Sequence, residues 1–158
     1  MPTIYEALKS DHDEHRSLLE NLAETQGDSK ERRKLWRKYY YEVSAHAAAE
    51  ELAFYSLLIS DTEGQSEARH SIAEHEELDD IIQELNDMDM SSPGWLIRLK
   101  TLKERYEHHI DEEEEDIFPV ARKIIGDDTG GRIAADFKAR KRNEHTLVDE
   151  KAESSLLD

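Results

Sequence analysis

Cysteine is absent from this sequence of 158 residues, which excludes disulfide bonds, thiolate nucleophiles and metal sites built on sulfur. Any metal ion must therefore be bound by imidazole and carboxylate groups, which 8 histidines and 38 acidic residues supply. Basic residues are few, 21 in all, so the formal net charge is -17. A surface of that charge repels phosphate backbones and acidic lipid headgroups, and we expect neither a nucleic-acid partner nor a membrane partner.

Long apolar runs are also missing. No uninterrupted stretch approaches the roughly 20 residues that span a bilayer, and residues 1–9 lack the basic and apolar regions of a signal peptide. We therefore expect a cytoplasmic protein. The length suits one hydrophobic core better than two, which predicts a single domain over residues 1–158.

Glycine and proline are scarce, and apolar residues recur at three- and four-residue spacing. That pattern predicts an all-α protein: an antiparallel, up-and-down four-helix bundle over about residues 3–125, with a short fifth helix within residues 129–158. Pro119 predicts a kink in the fourth helix at about residues 115–119. Capping and turn residues place the four bundle helices at about residues 3–24, 29–60, 66–88 and 93–125.

The apolar spacing also predicts which side chains face inward. On the second helix these are Leu35, Tyr39, Val43, His46, Glu50 and Leu57. The fifth helix has few apolar anchors, namely Ile133, Phe137 and Leu147, so we expect it to pack against the bundle and to take no part in chemistry.

The chain repeats itself at an offset of 63 residues, so that each half is a helical hairpin of one design. The offset pairs His12 with His75, His46 with His109 and Glu50 with Glu113. It also pairs Asp11 with Glu74 and Glu51 with Glu114. Three further histidines have unlike partners: His15 pairs with Leu78, His70 with Ala7 and His108 with Ala45.

A histidine and a glutamate lie one helical turn apart in each half, at His46 and Glu50 and at His109 and Glu113, and can approach one ion together. Each pair is joined by a histidine from its own hairpin. Facing helices would thus place four imidazoles and two carboxylates around one point in the core. We therefore predict a metal centre ligated by His12, His46, Glu50, His75, His109 and Glu113. Symmetry assigns two histidines to each metal and makes both glutamates bridge the pair, with an oxo or hydroxo bridge completing the core.

Several alternatives remain open at this stage. His15, one turn after His12, is an alternative ligand on the first helix. Tyr106, one turn before His109, is expected in the core, with a role as a ligand or beside a ligand as the alternative. The same polar residues also fit a solvated face of charged helices, and the acidic run at residues 111–116 is expected to be mostly such a face. The donor types suit iron, manganese or zinc.

The residues at these positions resemble the hemerythrin-like family of HHE cation-binding domains. The resemblance covers about residues 3–125 and rests on Asp11-His12, His46-x-x-x-Glu50-Glu51, Glu74-His75 and His109-x-x-x-Glu113-Glu114 with Phe118-Pro119. It implies a non-haem centre of two iron ions per chain that binds dioxygen or, in some members, responds to iron, peroxide or nitric oxide. Oxygen-carrying members have a second histidine on the third helix, whereas Ser71 and Asp79 flank His75 here. One metal is then expected to keep a water or to take Asp79, which favours reaction with peroxide or small gases.

The leading expectation is thus a protein that binds or senses dioxygen, peroxide or nitric oxide at a bridged di-iron site. An enzymatic role is left open, because a peroxide-decomposing enzyme fits the same residues. An iron store, donor or repair protein is a third possibility, and a helical interaction module without metal is a fourth. The sequence does not indicate the oligomeric state.

Overall fold

The computed structural model describes the backbone of residues 1–157 and the side chains of residues 1–147 and Asp149. All regular structure in this part is helical, which confirms the all-α prediction. The first, third and fifth helices are Ile4–Ala23, Thr62–Asp87 and Arg132–Leu157. The second helix consists of Lys30–Glu50, a π-helical turn at Glu51–Tyr55, and Ser56–Leu58. The fourth helix consists of Pro93–Glu112, a π-helical turn at Glu113–Ile117, and Phe118–Ile125. Within the described residues, no helix is both long and apolar enough to cross a membrane.

Short polar side chains accept backbone N–H groups at the start of each bundle helix, and they are Thr3, Ser29, Asp61 and Ser92. The third helix begins earlier than predicted, because Gly64 lies in its first turn and does not break it. A Cβ atom at Gly64 would lie 2.7 Å from Cδ1 of Ile124 and 2.8 Å from the carbonyl oxygen of Leu58. This glycine is therefore required by close packing between helices.

The two π-helical turns change which side chains face the core. A π-helical turn contains an extra residue, so the side chains beyond it are rotated around the helix axis. Leu58 is consequently buried and Leu57 is 42% exposed, so the predicted inward position of Leu57 was wrong by one residue. The fourth helix is irregular close to residues 115–119, where a kink was predicted, because its π-helical turn lies at Glu113–Ile117. Proline alone does not explain it, because the second helix has a matching π-helical turn without proline.

The interior consists of two apolar clusters. One cluster includes Leu19, Leu22, Trp36, Trp95 and Leu99. The other includes Ile4, Leu8, Phe54, Phe118 and Phe137. The six predicted ligands belong to neither cluster and are nearly inaccessible to solvent, so a polar layer crosses the core of the bundle.

The fifth helix lies within the predicted range of residues 129–158, and with 26 residues it is as long as the third. It packs mainly against the second helix and also against the first. Phe137 is buried beside His46, whereas Leu147 is 49% exposed and is not an anchor. A further attachment is polar and therefore not indicated by apolar spacing: the Lys141 ammonium donates to both carboxylate oxygens of Asp11, each at 2.9 Å.

Candidate metal centre

All six predicted ligands meet at one place in the bundle. The first and third helices contribute one histidine each, and the second and fourth helices contribute a histidine and a glutamate each. The side chains of Glu50 and Glu113 have no exposed surface, and that of His75, the most accessible of the six, is 10% exposed. The helical spacing and the repeat therefore predicted the convergence of these side chains.

Each carboxylate lies between histidines of both hairpins. Glu50 places Oε2 3.3 Å from Nε2 of His46 and Oε1 3.1 Å from Nε2 of His75. Glu113 places Oε1 3.2 Å from Nε2 of His12 and Oε2 3.8 Å from Nε2 of His109. This is the position in which a carboxylate can bridge two ions.

The inward-facing atoms fit a cation better than they fit one another. Nε2 of His12, Oε1 of Glu113 and both carboxylate oxygens of Glu50 are buried without a hydrogen-bond partner in the described part of the chain. Burying unpartnered polar atoms is unfavourable unless something else satisfies them. The Nε2 atoms of His75 and His109 lie 3.2 Å apart, and two nitrogens bound to one ion at about 2.1 Å are separated by roughly that distance.

The donors form two groups that share Glu50. In each group, one ligand atom per residue lies within 4.8 Å of the others: His12, His46 and Glu50 in one, and Glu50, His75, His109 and Glu113 in the other. These groups suit metal binding, and they pair the histidines as the repeat predicted.

Each histidine of the centre contacts an outer carboxylate through the ring nitrogen that faces away from the centre. The Nδ1 atoms of the four histidines pair with these carboxylates at 2.7–2.9 Å: His12 with Glu114, His46 with Asp11, His75 with Glu51 and His109 with Glu74. Such contacts orient the rings so that Nε2 faces inward. The repeat had already paired Asp11 with Glu74 and Glu51 with Glu114, but the sequence did not reveal this function.

Three of the four carboxylates are themselves held from outside. Asp11 accepts from Lys141 of the fifth helix, Glu114 accepts from Arg16 at 2.9 Å, and Glu74 lies 3.4 Å from His70. The prediction that the fifth helix has no chemical role was therefore wrong, because Lys141 supports the carboxylate that orients a histidine of the centre. Lys141 and Asp11 are 130 residues apart in the sequence and meet only through tertiary packing, which local sequence patterns do not encode.

Burial and charge act in opposite directions on these groups. Burial alone would lower the pKa of His12 and that of His75, but the close contacts and negative charges of neighbouring glutamates raise each pKa to about 10. Burial would raise the pKa of Glu50, yet His46 and His75 hold it well below its usual range. The pKa of Glu113 is raised by burial and by the charge of Glu50. Without a metal ion, the two buried carboxylates therefore depend on imidazolium protons for compensation.

His15 is not part of either donor group. Its Nδ1 instead lies 2.5 Å from the hydroxyl oxygen of Tyr106, and both side chains are buried. Burial and the neighbouring His46 lower the pKa of His15 well below its usual range, so its imidazole is neutral and accepts a hydrogen bond from the Tyr106 hydroxyl. Of the two histidines of the first helix, only His12 therefore belongs to a donor group that could hold a metal ion.

Tyr55 is a polar neighbour of the centre that the sequence analysis missed. Its hydroxyl donates to Oε2 of Glu113 and accepts a hydrogen bond of 2.7 Å from Ser71. Ser71 stands where oxygen-carrying relatives were expected to have a second histidine, and the hydroxyl of Tyr55 occupies the space beside it. The repeat contained a signal for it: the offset of 63 pairs Tyr55 with Phe118, which lacks only that hydroxyl.

A small cavity of about 50 Å³ adjoins the centre. Its walls are mostly apolar, and Asp79 and Tyr106 also line it. The apolar and small residues are Val43, Ala47, Leu78, Ile82 and Ile110, and the candidate ligand histidines are His46, His75 and His109. The volume suits a ligand of two or three heavy atoms.

Comparisons with known proteins agree with this geometry. The profile of the hemerythrin HHE cation binding domain matches residues 3–121. A hemerythrin-like protein of Schizosaccharomyces pombe is 23% identical over 144 residues, 90% of this chain and 70% of that protein. A protein of Nostoc sp. described as a DNA nickase is 23% identical over 138 residues, 87% of this chain but only 39% of that protein.

A solved structure has the same fold. It is a hemerythrin HHE cation binding domain-containing protein from Mycobacterium kansasii, with a TM-score of 0.83 and 24% identity, covering 97% of this chain and 93% of that chain. Since the domain profile covers most of the sequence, this chain belongs to the hemerythrin HHE cation-binding domain family.

Proposed function

We propose that this protein holds a non-haem pair of iron ions and binds or senses dioxygen, peroxide or nitric oxide beside them. The observation that carries the proposal is the set of buried, unpartnered donor atoms on His12, Glu50 and Glu113, surrounded by further imidazoles. The duplicated ligand set supports two ions rather than one, and family membership favours iron among the metals that such donors accept.

The six ligands would hold the pair, with Glu50 and Glu113 shared between the ions. Bound iron would supply a redox-active centre with an open position for a small ligand. The protein itself orients the imidazoles through the four outer carboxylates and excludes water through the two apolar clusters. The cavity beside His75 and His109 admits a diatomic molecule or peroxide and excludes larger substrates.

Decomposition of peroxide is the second candidate, and the pair formed by His15 and Tyr106 favours redox chemistry of this kind, because simple gas binding needs no such pair. Oxygen released from added peroxide would identify a peroxide-decomposing enzyme. Release of iron to a chelator or an apo-acceptor would instead identify a store or donor. Because the net charge of -17 opposes binding to phosphate backbones, we propose no nucleic-acid partner, although one relative is described as a DNA nickase.

Iron content tests the proposal. After anaerobic loading with ferrous iron and desalting, we expect about two iron ions per chain. Glu50→Ala and Glu113→Ala should each weaken the binding of both ions, because each carboxylate contacts histidines of both hairpins. His12→Ala and His75→Ala should each cause preferential loss of one of the two bound ions. Optical spectra under nitrogen, air and nitric oxide then report ligand binding.

His15→Ala and His108→Ala serve as controls that should retain the iron. His15 is buried but outside the donor groups, and the side chain of His108 is 74% exposed. Circular dichroism verifies that each variant is folded. Glutamate variants that keep two ions, or a His15→Ala variant that loses them, would overturn the assignment.

A further inference from the structure

The repeat is broken at one pair of positions beside the centre. His15 and Tyr106 form a hydrogen bond, and the offset of 63 residues relates them to Leu78 and Val43. Leu78 and Val43 line the small cavity. Positions related by the repeat therefore differ in chemistry: Val43 and Leu78 are apolar cavity walls, whereas Tyr106 and His15 are a phenol bonded to an imidazole.

This phenol has an acceptor for its proton when it loses an electron, because an imidazole is hydrogen-bonded to its hydroxyl. The hydroxyl of Tyr106 donates to Nδ1 of His15 across 2.5 Å, and both residues are at most 3% exposed. When Tyr106 is oxidised, its proton can cross this one hydrogen bond, and the resulting imidazolium stays beside the phenoxyl oxygen. The Tyr106 ring also lines the cavity, and its centroid is 6.3 Å from that of the His109 ring.

Aromatic rings continue from Tyr106 to the protein surface. Tyr39 follows at 5.9 Å between ring centroids, and Trp36 lies 5.7 Å beyond Tyr39. The hydroxyl of Tyr39 has no hydrogen-bond partner within the described residues, so its ring serves as a bridge and not as a site where the oxidised state rests. Trp36 lines a surface groove of about 440 Å³ together with Arg33 and Arg37. Spacings of this size allow fast electron tunnelling.

We propose that Tyr106 and His15 form a redox-active pair that supplies electrons to peroxide in the cavity, and that Tyr39 and Trp36 connect this pair to a one-electron reductant at the groove. The proposal rests on the proposed function. Reduction of hydrogen peroxide to two waters consumes two electrons and two protons. Tyr106 supplies one electron at a time, and its proton moves to Nδ1 of His15 and returns when an electron arrives through Trp36. The reductant supplies both electrons, and solvent supplies both protons.

Electron paramagnetic resonance tests this inference on the iron-loaded protein. Samples mixed with hydrogen peroxide and frozen at once should show a tyrosyl radical, identified by the change in its line shape when the protein contains ring-deuterated tyrosine. Tyr106→Phe should abolish the signal. His15→Leu, which installs the residue found at the related position, should also abolish it, because no base remains to accept the proton. In samples that are kept with a one-electron reductant before freezing, Trp36→Phe should make the radical persist longer.

Tyr41→Phe is the matched control, since Tyr41 also contacts a histidine, His145, at 4.3 Å between ring centroids, but lies outside the aromatic path. Its radical signal should equal that of the unmodified protein. Iron content is measured on the same samples. A protein without iron would overturn both proposals. An iron-loaded protein that forms no tyrosyl radical, or one whose radical survives in Tyr106→Phe, would overturn this one alone.

Discussion

Four acidic residues, Asp11, Glu51, Glu74 and Glu114, explain how the histidines of the centre are held. Each accepts from the Nδ1 side of one imidazole, which fixes the tautomer and directs Nε2 toward the centre. In the sequence they are four acids among 38, and only the repeat distinguishes them. Their function depends on contacts between helices, and spacing along one helix could not predict it.

We expect Asp11→Asn and Glu74→Gln to weaken metal binding by about 10- to 100-fold, because the amide no longer orients and polarises its histidine as a carboxylate does. Competition with a chromophoric chelator measures this affinity, and two ions should still bind at saturation. Asp13→Asn is the control, since Asp13 is on the same helix but its side chain is 55% exposed and contacts Lys9 and Arg16. Equal losses in Asp11→Asn and Asp13→Asn would show that net charge, and not ring orientation, sets the affinity.

At the scale of helices, the apolar period and the capping residues predicted the bundle, whereas the π-helical turns were not predicted. One turn begins directly after Glu50, and the other begins at Glu113, so each is next to or includes a glutamate of the centre. A regular helix was assumed in placing Leu57 inward, and one additional residue per turn moved Leu58 there instead. Nothing in the local propensities of these segments indicates a π-helical turn. It is stabilised by the contacts of the completed bundle, which single-helix patterns do not contain.

Gly64 allows a direct test of how closely the second, third and fourth helices pack. We expect Gly64→Ala to lower the free energy of unfolding by about 1–3 kcal/mol, because its Cβ would overlap Ile124 and the backbone at Leu58. Gly130→Ala is the control, since the nearest atom to its added Cβ is Cγ of Arg132 at 3.9 Å. Chemical denaturation measures both variants. A Gly64→Ala protein as stable as Gly130→Ala would mean that the helices separate at little cost.

For the molecule as a whole, the polar layer between two apolar clusters makes stability depend on what compensates its charge. In the proposed metal-loaded protein the ions would compensate the carboxylates, and in the metal-free protein protons on imidazoles would do so. The repeat made this layer predictable from the sequence. The contribution of the fifth helix was not predictable, because it reaches the layer through Lys141 and Asp11, a contact between residues that are distant in the chain.

The metal-free protein should therefore lose stability as the pH rises. In the folded metal-free state the pKa values of His12 and His75 are raised from 6.5 to about 10. Their protonation thus stabilises the fold fully below pH 6.5, and this contribution is lost progressively as the pH approaches about 10. In the loaded protein these imidazoles bind metal and carry no such proton, so its stability should change less over this range. Thermal melts of both forms at several pH values between 6.5 and 9.5 measure the effect. We expect the loaded form to melt at the higher temperature throughout, with a difference that widens as the pH rises. A constant or narrowing difference would show that imidazolium protons do not compensate the buried glutamates.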